Sequence, residues 1–309
     1  MRPLLAIAGP TASGKSALAL RLATALEGTV INADALQVYR ELRILTARPT
    51  PAEAAAVPHR LYGTQPAAEP GSAGQWRRQA LAAIAEAQAA GRRPILCGGT
   101  GLYLKALEEG LAPTPPVPAA VKAEAATLLA TVGAAGLRER LARHDLAAAE
   151  RIPASDPQRL LRAWSVWRAT GRTLSDWQEE TGEPGPALRW LVLLPPREAL
   201  REAVERRWQA MLAVGALEEA RALLALGLDP ALPAMKAVGV RELGAVLAGR
   251  ATLAQASAAA VTATRQYLKR QTTWLRTQVL ASHAEAEVSH AKFSDLEFDE
   301  LVKKLREEA

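Results

Sequence analysis

Residues 9–16 read Gly9-Pro10-Thr11-Ala12-Ser13-Gly14-Lys15-Ser16, a G-x-x-x-x-G-K-[ST] loop set between two recognisable neighbours. An apolar run from Leu4 to Ala8 precedes it. Leu18, Leu22 and Leu26 follow at four-residue spacing, and Gly28 is read as closing that helix. Strand, loop and helix in this order aim backbone N–H groups and a helix N-terminus at one small volume, where Lys15 adds a full positive charge. The chain is thereby constrained to an α/β fold whose strand ends carry a ligand. The loop suits a di- or triphosphate, as a diphosphate- or nucleotide-binding element, without specifying whose.

Nucleotide-hydrolysing P-loop enzymes usually add a second apolar strand ending in Asp, which helps hold magnesium. Two segments compete for that place. Pro94-Ile95-Leu96-Cys97 ends in Gly98 and Gly99 instead of an acid. Thr29-Val30-Ile31-Asn32-Ala33 ends in Asp34 but is only partly apolar. A kinase or hydrolase acting on a small molecule is therefore open, not favoured.

The first hundred residues alternate strand and helix, which predicts a parallel sheet. Ser72 and Gln75 form a capping box before a helix from Trp76 to Ala90, and Gly91 stops it. The strand 93–97 then leads into the turn Gly98-Gly99-Thr100-Gly101 and a helix from Leu102 to Glu109. The loop, Asp34 and Thr100 thus all follow strands, so in a parallel sheet they share the ligand-binding edge. Pro113, Pro115, Pro116 and Pro118 mark a linker, beyond which the pattern is helical to about residue 181. Asp156-Pro157 opens one of these helices and Gly171 closes it, while Ser175 with Gln178 is read as capping another. Trp190 to Leu194 reads as a strand that rejoins the sheet. Helices are expected from Arg197 to about Leu226, Ala234 to Leu247, Ala254 to Leu280 and Phe293 to Glu308. The expected fold is a P-loop NTPase-like parallel sheet flanked by helices with an all-helical insertion domain. Residues 1–114 begin the core, 115–187 form the insertion and 188–309 complete the core.

With 309 residues, 49% of them hydrophobic and 23% charged, the chain has a globular composition. No run of eighteen or more uncharged apolar residues occurs, so no membrane segment is expected; no targeting peptide is expected either. The single cysteine, Cys97, excludes an internal disulfide, suits a reducing cytosol and reads as packing. The four histidines lack ligand spacing, so no zinc site is expected. Net charge is +6, and its distribution is more telling than its sum. Arg151, Arg159, Arg162, Arg168 and Arg172 share a window with the single acid Asp156, while Arg265, Lys269, Arg270 and Arg276 share one with none. Two basic helices beside a phosphate loop point to a nucleic acid.

A carboxylate at Asp34, beside a phosphate loop, suits magnesium binding or general-base work, or else a turn or helix cap. The Thr100 hydroxyl could reach a phosphate or leaving-group oxygen, or simply form the turn. Gln158 and Arg162 lie one helical turn apart, with Arg159 beside them. Leu160, Trp164 and Trp167 make an apolar stripe that reads as core.

In order along the chain, GPTASGKS (9–16), INADALQVYR (31–40), TARPT (46–50), PHRLYG (58–63), SAGQWRRQA (72–80), PILCGGTGLYLKAL (94–107), DPQRLLRA (156–163), AVGVREL (237–243) and ATRQYLKRQTTWLR (263–276) resemble the tRNA dimethylallyltransferases. The resemblance spans residues 4–280. It implies a cytoplasmic, monomeric transferase that moves a prenyl group from dimethylallyl diphosphate to the N6 amine of the adenine 3′ to the anticodon. The loop would then cradle the diphosphate leaving group, with Mg²⁺ at Ser16. The resemblance makes Asp34 and Thr100 catalytic. It places Asp34, Ala35, Leu36, Gln37, Lys122, Gln158, Arg159, Leu160, Leu161 and Arg162 against the tRNA anticodon stem-loop. An adenine within a stacked loop must be everted to reach the prenyl carbon. The chain departs from the family pattern at Ala35, commonly Ser, at Leu45, often Gly, and at Val240, usually Tyr.

Overall fold

The structure is a computed structural model that describes residues 3–180, 182–291 and 293–307. Among these, β1 (Leu4–Ala8), β2 (Gly28–Asn32), β3 (His59–Arg60), β4 (Arg93–Gly98), β5 (Leu188–Leu193) and β6 (Glu287–Ser289) form one sheet. Its order is β3-β2-β4-β1-β5-β6, and every pairing is parallel. The first helices are α1 (Lys15–Ala25), α2 (Pro51–Ala56), α3 (Ala73–Ala89) and α4 (Gly101–Glu109). Four more follow as α5 (Ala119–Ala142), α6 (Leu146–Arg151), α7 (Pro157–Thr170) and α8 (Leu174–Glu179). The last are α9 (Arg197–Ala213), α10 (Ala216–Leu224), α11 (Val240–Leu247), α12 (Leu253–Trp274) and α13 (Asp295–Glu307). The chain divides into two compact units, one of Met1–Glu108 with Pro186–Ala309 and one of Glu109–Gly185.

In the first unit the central strands β1, β4 and β5 are largely apolar because both faces of the sheet are covered. Alternate residues split between the two sides. Ala6, Ala8, Ile31, Leu96, Trp190 and Val192 pack with Trp76 and Ile84 of α3 and Leu104 and Leu107 of α4. Leu5, Ile7, Val30, Ile95, Leu191 and Leu193 pack with Leu18 and Leu22 of α1 and Phe298, Leu301 and Leu305 of α13. The expected terminal helix is thus present as far as Glu307, and its apolar stripe is what docks it; Glu308 lies outside the described residues.

Several expected boundaries are corrected. Helix α1 ends at Ala25, and Gly28 belongs to β2, where a Cβ would meet Arg93 O at 3.0 Å. The helix expected from Arg197 to Leu226 is broken at Gly215, whose φ of 103° starts α10 afresh. Ala234–Lys236 forms a separate 3₁₀ turn before α11.

The second unit is helical. Its core gathers Ala125, Leu137, Leu141, Ala148, Leu160, Ala163 and Trp164, and Trp167 stacks on His144 with centroids 3.6 Å apart. The tryptophans are therefore structural. Buried Asp145 caps α6 through Ala148 N–H at 2.9 Å and accepts from the Ser175 hydroxyl at 2.6 Å. Ser175 is therefore not the cap of α8. That place belongs to Thr173, in a capping box with Asp176. By length and composition α5 is long and apolar enough to cross a membrane, though Lys122, Glu124 and Arg138 leave it no run of eighteen uncharged apolar residues. It is kinked at Gly133 (φ 69°, ψ 175°), and Ala125, Leu137 and Leu141 are committed to the unit's own core.

Candidate active site at the carboxyl edge of the sheet

Strands β2, β4 and β1 are consecutive in the sheet, so their carboxyl ends stand side by side at about 5 Å intervals. Asp34, Thr100 and the phosphate loop follow directly from those ends. The fold therefore brings together the three elements that the sequence placed on one edge.

Asn32, fully buried, anchors this edge. Its Oδ1 accepts the Asp34 N–H at 2.8 Å, and its Nδ2 donates to Asp34 O and Leu61 O, each at 3.0 Å. The indole of Trp76, stacked on Tyr103, donates to Asn32 O at 2.8 Å. Asp34 is then fixed twice over, since its Oδ1 takes the Leu36 N–H at 2.9 Å in an Asx turn. The carboxylate is both a turn former and half exposed to a cavity. Thr100 Oγ1 accepts the Ala35 N–H at 2.9 Å, and Thr100 N–H reaches back to Ala33 O at 3.1 Å. The side chain expected at a leaving group also ties two strand ends together.

A cavity of about 70 Å³ opens here, lined by Thr11 of the loop, Asp34, Leu36, Arg207, Trp208 and Tyr267 among others. Loop and acid share one wall-to-wall space. Lys15 is shifted below its ordinary pKa by burial, against the opposing pull of Cys97 and Asp34. Arg207 is likewise lowered by burial while Asp34 pulls it up, yet a guanidinium stays charged. Burial, helped by the charge of Asp34, raises the Tyr267 phenol, so it remains a neutral O–H. Cys97 is pushed up to about 11 by burial; it is a protonated, packed thiol.

Arg207, Tyr267 and Gln271 are the residues that sequence reasoning missed. Arg207 of α9 donates to Thr11 Oγ1. Gln271 of α12 accepts the Thr11 N–H at 2.8 Å and donates to Gly99 O at 3.1 Å. Tyr267, Gln271 and Trp274 share a spacing that lays one face of α12 on the glycine turn, but nothing in the string ties that face to a turn 170 residues away. Gln37, expected at tRNA, spends its amide N–H groups on Thr46 O at 2.8 Å and Ala47 O at 3.0 Å.

Asp34, Ala35 and Leu36 share the sheet edge with Gln37, and the remaining expected tRNA positions lie in the helical unit. Lys122, Gln158, Arg159 and Arg162 are exposed and Leu161 is half-buried. Leu160 is a correction: its side chain is fully buried in the unit's core and is unavailable to RNA. The basic windows are also less bare than they read, because acids distant in sequence enter them. Arg168 pairs with Glu124 at 2.9 Å, Arg172 with Glu180, and Arg265 with Glu205.

A parallel sheet with a G-x-x-x-x-G-K-S loop at its carboxyl edge, beside an acid and a hydroxyl, defines a P-loop-like α/β protein. The particular family follows from comparison with known proteins. The family model for IPP transferase matches residues 37–278, and the chain belongs to that family. It is 56% identical over 284 residues to the tRNA dimethylallyltransferase of Rhodospirillum centenum, covering 91% of this chain and 90% of that one. With the tRNA dimethylallyltransferase of Rhodospirillum rubrum it shares 53% over 304 residues, 96% of this chain and 93% of the relative. Among solved structures, the full-length tRNA isopentenylpyrophosphate transferase of Bacillus halodurans superposes with a TM-score of 0.71 at 29% identity, covering 100% and 97% of the two chains.

Proposed function

We propose that this chain transfers a dimethylallyl group from dimethylallyl diphosphate to the N6 amine of the adenine 3′-adjacent to the anticodon of tRNA, releasing diphosphate. The observation that carries the reading is the single cavity walled by Thr11 of the phosphate loop, Arg207 and Asp34. In a kinase the loop would present a γ-phosphate to a hydroxyl. Membership of the IPP transferase family sets that alternative aside.

Loop residues Gly9 to Ser16, with the Lys15 and Arg207 cations, grip the diphosphate. The N6 lone pair forms the bond to prenyl C1 as the C1–O bond breaks, and that electron pair leaves on the diphosphate. The N6 proton passes to Asp34, which must act during attack because an aromatic amine is a weak nucleophile. Thr100 holds Asp34's segment against the glycine turn through Ala35. Lys122, Gln158, Arg159 and Arg162 offer exposed basic and polar groups to the anticodon stem-loop. Among the described residues no cluster of three or more His, Cys, Asp or Glu could hold a metal. Ser16 and Asp34 are hard oxygen donors too few for a cage, which suits Mg²⁺ carried in part by water and diphosphate oxygens. When bound, that ion neutralises charge growing on the leaving group. Loop and acid come from one chain, so a monomer suffices, and the lone protonated thiol suits the cytoplasm.

The test supplies the purified chain with magnesium, labelled dimethylallyl diphosphate and unmodified tRNA. Label should enter tRNA, and Asp34→Asn should slow single-turnover transfer about a hundredfold with tRNA affinity unchanged. Unlabelled tRNA, with phosphoryl transfer from ATP to a metabolite, would overturn the reading.

A further inference from the structure

Diphosphate-gripping loops usually hold their own shape. Here the loop is shaped in part from outside, by a side chain 260 residues away. Gln271 is 5% exposed, and both ends of its amide are engaged. Its Oε1 accepts the Thr11 N–H at 2.8 Å and its Nε2 donates to Gly99 O at 3.1 Å. Two other features show that this contact is built in. A Cβ at Gly99 would lie 2.4 Å from Gln271 Nε2, so the turn needs glycine there for the amide to approach. A Cβ at Gly101 would lie 2.1 Å from the Trp274 ring, so the next turn of α12 presses on the same glycine turn. The Thr11 N–H is thereby withdrawn from the donors available to an anion, as is the Ser13 N–H, which turns to Pro10 O at 3.2 Å.

We propose that Gln271 is a positioning residue, a strut that joins the diphosphate loop to the turn carrying Thr100 and so sets where the diphosphate lies relative to Asp34. The chemical reason is that a carboxamide carries an acceptor and a donor side by side on one neutral end, so it accepts from the loop and donates to the turn at once. Without the strut, Thr11 keeps only its Oγ1 bond to Arg207, and the loop and turn are free to drift apart. Transfer requires the reacting atoms in near-attack geometry, and a displacement of about 1 Å costs on the order of a hundredfold in rate. The strut acts on diphosphate and on the chemical step but leaves tRNA affinity alone, since Gln271 is buried with both ends of its amide engaged inside the protein.

This inference rests on the prenyl-transfer reading, so its test includes a measurement that does not need transfer. Calorimetry with inorganic diphosphate and magnesium compares the full-length chain with Gln271→Met, which keeps the volume and loses both hydrogen bonds. The expected result is at least a tenfold weaker affinity for diphosphate. In the transfer assay, kcat should fall at least tenfold while KM for tRNA stays within twofold. Gln271→Glu keeps the shape and the acceptor. Once protonated it carries an O–H where Gln has N–H, so its rate relative to wild type should rise as pH is lowered from 8 to 6. That recovery has no counterpart in a residue that merely fills space, and it keeps the test open if the Met variant folds poorly. Diphosphate affinity within twofold of wild type in the Met variant, or a flat pH ratio in the Glu variant, overturns the inference. Wild-type protein that binds diphosphate but transfers nothing would overturn the prenyl-transfer reading alone, and the affinity ratio would still decide the role of Gln271.

Discussion

Gly98→Ala isolates the contact on which the site geometry depends. Gly98 ends β4 where that strand passes Ala33, the residue before Asp34. A Cβ there would sit 2.1 Å from Ala33 O and 2.2 Å from Ala33 C. Carbon and oxygen tolerate about 3.3 Å at closest, so the two strand ends must separate by more than 1 Å. Both colliding atoms are backbone, and no rotamer change relieves them. The separation strains two hydrogen bonds at the same place, Ala33 N–H to Cys97 O at 2.8 Å and Thr100 N–H to Ala33 O at 3.1 Å. Their loss costs about 1 kcal/mol each net, and overpacking adds about 1–3 kcal/mol. The expected destabilisation of about 3–5 kcal/mol is a large part of the roughly 5–15 kcal/mol that holds a domain folded. Urea unfolding measures it, and single-turnover transfer at a temperature where the variant is folded should fall on the order of a hundredfold. Gly91→Ala is the control: its φ is +68° with nothing within 4 Å, so it should lose only about 1–2 kcal/mol through backbone strain and keep its rate. A Gly98→Ala protein less than 1 kcal/mol destabilised, with its rate intact, would refute the close-approach argument.

Lys15, lowered by burial, must be protonated to hold diphosphate, so kcat/KM for the prenyl donor should decline on the alkaline side at a pH below the ordinary lysine value. A profile level up to that value would show the amine to be unperturbed. The Glu219 carboxylate accepts three backbone N–H groups, Arg43 at 2.8 Å, Ile44 at 2.7 Å and Leu45 at 2.8 Å, and the strand of loop it holds lines the cavity at Leu45 and Thr46. Glu219→Ala should cost about 2–4 kcal/mol in thermal unfolding and raise KM for the prenyl donor, with Glu219→Gln in between; a loss under 1 kcal/mol would contradict the three-bond cap.

The sequence revealed features where cause and effect are neighbours in the chain. The loop, the Asp156 and Gly171 caps and the strand ends at Asp34 and Thr100 each depend on residues within a few positions, and the two-faced apolar strands announce a covered parallel sheet. What it hid arrives by packing. Arg207 and Gln271 meet Thr11 only because α9 and α12 fold onto the carboxyl edge, and a periodic helix face does not say what it faces. Asn32 read as a polar blemish in a strand, whereas it is the buried bracket of Asp34. The edge strands His59–Arg60 and Glu287–Ser289 are too short to show any period. Charge windows misled for a related reason, since Glu124, Glu180 and Glu205 enter them from elsewhere in the chain.

The same physics makes the empty site costly. Lys15 and Arg207 are both desolvated and each feels the other's positive charge or the single Asp34 anion. A base whose pKa is lowered by folding is one whose charged form the fold disfavours. That cost is present at neutral pH and is relieved as pH rises through the folded value toward the ordinary one. Lys15→Met keeps the length and apolar stem, removes the buried charge, and sacrifices only a long 3.3 Å bond to Pro10 O. The ligand-free variant should therefore melt at or above the wild-type temperature, because it removes a charge whose burial the fold disfavours and which also faces the Arg207 cation. The wild type should gain several degrees on adding diphosphate and magnesium, as mass action requires of any ligand that binds only the folded state. The variant should gain almost nothing, with prenyl transfer lost. Scanning calorimetry with and without diphosphate separates the two effects. A ligand-free Lys15→Met protein that melts several degrees lower would mean that the ammonium holds the loop together rather than waiting, at a cost, for an anion.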